Sequence, residues 1–69
     1  MRTWECTKCV VKEKEFDYDL HEFDVVKNNK TIATITPDSI QAMEVLVDYL
    51  NHGYCVSALE DGKGNAINI

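Results

Sequence analysis

The chain has 69 residues, of which 45% are hydrophobic and 28% charged, with three Gly, one Pro and a net charge of −5. Such a composition suits one folded domain (residues 1–69) near the lower size limit for a self-sufficient core, and it excludes a disordered chain. The acidic balance argues against direct binding to nucleic acid or an anionic membrane, and no apolar run reaches the ~20 residues of a membrane span or resembles the core of a signal peptide.

A cytoplasmic protein is therefore expected. Three cysteines fit that reading, because an odd and small number does not build a secreted disulfide framework.

The first element, in "TWECTKCVVK", reads as a strand over residues 3–11. Two thiols separated by two residues, just after Trp4, also resemble the opening of a zinc ribbon. In an unbroken strand, however, Cys6 and Cys9 stand three positions apart and face opposite sides.

Next comes "EKEFDYDLHEFD", residues 13–24, with six carboxylates and one lysine. The six acids and six bases elsewhere cancel, so the whole imbalance lies in these twelve residues. Phe16, Tyr18 and Leu20 alternate with Asp17 and Asp19, as in a strand with an acidic face and a bulge near His21 and Glu22. With Glu13, Glu15, Glu22 and Asp24 around them, Asp17 and Asp19 are candidates for steering a basic protein surface. A solvated strand face that adds solubility and guards an edge is the plainer explanation.

"HEFDVVKNNKTIATIT" is expected to form a hairpin, since Asn28 and Asn29 tolerate the positive φ of a tight turn. A two-residue loop pairs Val25 with Ile32 and Phe23 with Thr34. A three-residue loop with a bulge pairs Phe23 with Ile35 and Val25 with Ala33, and it is preferred because it matches apolar partners.

A helix follows in "TPDSIQAMEVLVDYLNHG". Thr36 is the expected N-cap with Pro37 at the first helical position, or Asp38 caps with Gln41 completing a capping box; Gly53 ends the helix. Ile40, Met43, Leu46, Val47 and Leu50 share the face expected on a sheet, opposite Gln41, Glu44, Asp48 and Asn51. Ala42, Val45 and Tyr49 form an apolar flank, either covered by loops or open to a second copy of the chain or a target. After the helix, "YCVSALE" and "AINI" around "DGKGN" suggest a second hairpin. The expected fold is α+β, an antiparallel sheet of four to five strands with one helix on one face, in the order β-β-β-α-β-β.

Cys6 and Cys9 in "CTKC", with His52 and Cys55 in "HGYC", supply four zinc-type ligands in two pairs of equal spacing. Joining them would staple both ends of a small core. A redox motif needs its first Cys at a helix N-terminus, which "CTKC" lacks. No phosphate-binding Gly-rich loop, GxSxG elbow or HExxH helix is present. A non-catalytic binding protein without cofactor is expected, of the kind frequent among phage- and mobile-element accessory proteins and inhibitors. A zinc-stapled module is the alternative.

Overall fold

The structure, a computed structural model, describes residues 1–54; the hairpin expected after the helix lies outside them. Four antiparallel strands precede one helix, which packs on one face of the sheet, so the α+β class stands. The strands are β1 (Thr3–Glu5), β2 (Val10–Glu15), β3 (His21–Lys27) and β4 (Lys30–Ile35), hydrogen-bonded in the order β1-β2-β3-β4. The helix, α1, spans Ile40–Asn51. Four strands rather than three thus come before it.

The extra strand arises because residues 3–11 are not one strand. The chain reverses within "CTKC", and Trp4 pairs with Val11 and Glu5 with Val10. Both "TWE" and "VVK" are strand-like locally, so only their pairing with each other reveals the break. Residues 16–20 are not a strand either. They form the β2–β3 loop, closed by the Asp17 N–H donating to the Leu20 carbonyl at 2.9 Å.

The β3–β4 hairpin combines features of both expected registers. Its tip is a two-residue loop, with Asn28 at φ 54° and Asn29 at φ 64° between paired Lys27 and Lys30. Further in, Phe23 pairs with Ile35 and Val25 with Ala33, as preferred. A bulge absorbs the one-residue mismatch, since Val26 pairs with Thr31 and leaves Ile32 as the extra residue. The tip obeys the asparagines; the interior obeys the apolar face.

The core comprises Cys9, Val11, Phe23, Val25, Ile35, Leu46 and Leu50, with Trp4, Cys6, Ala33, Met43 and Val47 packed around it. The helix therefore buries the face that its spacing marks, although Ile40 at its start stays 48% exposed. Ser39, not Thr36 or Asp38, is the N-cap, and its hydroxyl accepts from the Ala42 N–H at 3.1 Å. Thr36 is committed elsewhere, donating to Glu22 Oε2 at 2.8 Å, and Pro37 is buried. The chain thus needs residues 36–38 to climb from sheet to helix. At the other end Gly53 takes φ 83° and donates to the Leu50 carbonyl, while the Tyr54 N–H reaches the Tyr49 carbonyl. This is a Schellman cap, in which glycine avoids the strain of the left-handed conformation.

Candidate functional site

The antiparallel topology gives the sheet two chemically different ends. One carries the turns at residues 6–9 and 28–29, where an open concavity is lined by Cys6, Lys8, Cys9, Lys12 and Lys27 among others. The opposite end carries the β2–β3 loop, with Glu15, Asp17 and Asp19 exposed.

The acidic segment is not one patch. Glu13 is inward-facing and only 7% exposed, because it lies two residues after Val11 on the same face of β2. Its carboxylate accepts from Arg2 Nε at 3.0 Å, Arg2 Nη2 at 3.2 Å, the Arg2 backbone N–H at 3.1 Å and His21 Nδ1 at 2.7 Å. The Arg2 guanidinium is the main reason that Glu13 titrates at about 2 rather than 4.5, outweighing burial, which acts the other way; His21 adds to the lowering. The same contact raises the Arg2 pKa. The sequence reading counted Glu13 in the exposed field, although its spacing from Val11 was the available signal of its burial.

Glu22 and Asp24 lie on the outer face of β3 and are also tied down. Lys14 Nζ stands 3.1 Å from Asp24 Oδ1 and 3.8 Å from Glu22 Oε1. Thr34 donates to Asp24 and Thr36 to Glu22, each at 2.8 Å. Those two acids are therefore part of the sheet surface, separate from the loop.

In the loop itself Asp17 and Asp19 remain exposed, and Asp17 Oδ1 accepts the Tyr18 N–H at 2.7 Å. The aromatic neighbours are the unexpected feature. Tyr18 is 94% exposed and Phe16 57%, where strand alternation had set them on the side opposite Asp17 and Asp19. Glu15, Phe16, Asp17, Tyr18 and His21 line an open concavity.

On the helix flank Val45 is 65% exposed, and Ala42 and Tyr49 are partly buried. Tyr49 contacts Tyr54 with ring centroids 5.0 Å apart.

Of the zinc-type ligands, Cys6 and Cys9 come together across the β1–β2 turn, while His52 sits at the end of α1 with Nδ1 2.7 Å from the Asp48 carbonyl oxygen. Among the described residues no three His, Cys, Asp or Glu side chains converge, so His52 stands apart from the cysteine pair. Cys55 lies outside the described residues. No described helix is long and apolar enough to cross a membrane. No family model, curated protein or solved structure matches this chain.

Proposed function

We propose that this chain is a non-catalytic binding protein that docks on a basic protein surface through its β2–β3 loop. The observation that carries this reading is the exposure of Tyr18 and Phe16 beside Asp17 and Asp19. Exposed aromatics on a loop are costly to leave in water and are the side chains that most often anchor interfaces. The flanking carboxylates steer a cationic partner and reject an acidic one. Glu22 and Asp24, held by Lys14, contribute to the field but are less available for direct contact. The apolar flank at Ala42, Val45 and Tyr49 is a second surface, suited to a second copy of the chain.

The test compares the parent with a Phe16→Ser/Tyr18→Ser variant and an Asp17→Asn/Asp19→Asn variant as immobilised baits in extracts of the source cells. Proteins held by the parent, released by salt and depleted on both variants support the reading. An identical set on all three baits removes the loop as the docking site.

A further inference from the structure

The two ends of the sheet carry opposite charges that the described part of the chain does not satisfy. Of the six lysine and arginine side chains described, two are engaged: Arg2 on Glu13, and Lys14 on Asp24 and Glu22. Lys8, Lys12, Lys27 and Lys30 make no ion pair among the described residues. Lys8 lies in the β1–β2 turn, and Lys27 and Lys30 flank the β3–β4 turn. Lys12 lines the same concavity as Lys8 and Lys27. At the far end Glu15, Asp17 and Asp19 are exposed and make no ion pair with a described residue either.

The strands keep these groups apart. β2 and β3 pair from Val10 with Val26 to Glu15 with His21. At ~3.4 Å per residue that ladder separates its ends by roughly 17 Å. The Debye length at physiological salt is ~8 Å, so one end does not neutralise the other within a single chain. Two copies can bring them together.

Shape and chemistry match as well as charge. The concavity at the lysine end encloses about 340 Å³, and no described acid lines it. Half-buried Val10 and Val26 give it an apolar floor, and Thr7, Asn28 and Asn29 add a hydroxyl and two amides. The loop presents Tyr18, 94% exposed, between the exposed carboxylates of Asp17 and Asp19. Such a segment has a complement for each part of the concavity. The ring can lie on the valines among the ammonium groups, its hydroxyl toward the amides, with the carboxylates toward the lysines.

We propose that the Tyr18 loop of one copy docks in the concavity lined by Lys8, Lys12 and Lys27 on a second copy. The proposal rests on the reading of the β2–β3 loop as a docking site and names the basic surface that it meets. Because the contact joins two different patches, it either closes reciprocally in a pair or runs on as a chain.

The test is sedimentation equilibrium on the full-length chain, kept reduced so that no disulfide links copies. Self-association should weaken at least ~10-fold between ~10 mM and ~150 mM salt, as the Debye length falls from ~30 Å to ~8 Å. Lys8→Gln/Lys12→Gln and Asp17→Asn/Asp19→Asn alter exposed side chains and should keep the parent's circular dichroism. Each variant alone should self-associate at least ~10-fold more weakly than the parent. Mixed, they should form a one-to-one complex, because the first keeps its acidic loop and the second its lysine end. A parent that stays monomeric at millimolar concentration in low salt overturns the proposal. So does self-association that survives either double substitution, or a mixture that stays monomeric. The loop reading is judged separately by the bait comparison, since other proteins lost on the loop variants would keep it even where copies ignore each other.

Discussion

Replacing Glu13 by Gln removes the one buried charge among the described residues and tests whether the Arg2–Glu13–His21 cluster holds the sheet edge together. Glu13 has a side chain 3% exposed, against 54% for Arg2 and 28% for His21. The lowering of its pKa from 4.5 to about 2 corresponds, at roughly 1.4 kcal/mol per pH unit, to about 3 kcal/mol in favour of the folded state. Arg2 is half in water and recovers hydration when its partner is neutral, so the expected loss is about 2–3 kcal/mol. A chain of this length is stable by only about 3–10 kcal/mol in total, and the loss is therefore a large fraction. The pH dependence has a definite sign. A carboxyl whose pKa is depressed on folding stabilises fully above its unfolded value near 4.5 and loses that contribution as pH falls toward 2. Urea unfolding followed by circular dichroism, at intervals from pH 7 to pH 2, should show parent and Glu13→Gln differing at pH 7 and converging in acid. Equal stabilities at pH 7 within about 0.5 kcal/mol, with parallel profiles below pH 5, would falsify the reasoning.

Two further outcomes are expected. Ser39→Ala should cost ~1 kcal/mol of stability in chemical denaturation, the usual worth of a side-chain N-cap; a negligible loss would return the cap to Asp38. Val45→Asp, at a position 65% exposed, should leave folding within about 0.5 kcal/mol of the parent and convert any dimer to monomer in sedimentation equilibrium, whereas an unchanged sedimentation profile would remove the helix flank as a self-association surface.

How much could be read in advance differs from element to element. The helix was legible because its signals are local. Apolar residues at helical spacing bury Leu46 and Leu50, and Gly53 adopts the positive φ that ends the run. The pairings of Phe23 with Ile35 and Val25 with Ala33 were legible because one face must be apolar throughout. Legibility failed where two local readings were nearly equal. Thr36, Asp38 and Ser39 are all good caps, and the choice went to the residue left over once Thr36 had bonded Glu22 and Pro37 had been buried.

The candidate docking loop was misread for the same reason. "FDYDL" alternates as a strand does, yet the antiparallel pairing of β2 with β3, from Val10 with Val26 to Glu15 with His21, leaves those five residues to make the connection. Phe16 and Tyr18 therefore sit in a connection rather than in a paired strand, and both are exposed, Tyr18 at 94%.

By itself, then, the sequence determined the class of the fold, the helix and its buried face, and the apolar pairing of Phe23 with Ile35 and Val25 with Ala33, while the preferred three-residue tip of that hairpin gave way to a two-residue one. Only the tertiary structure decided that "CTKC" is a turn with both thiols on one side, and that Glu13 is buried against Arg2 and His21. Both depend on which strand lies alongside, and hydrogen bonds between distant segments are not written in either segment alone.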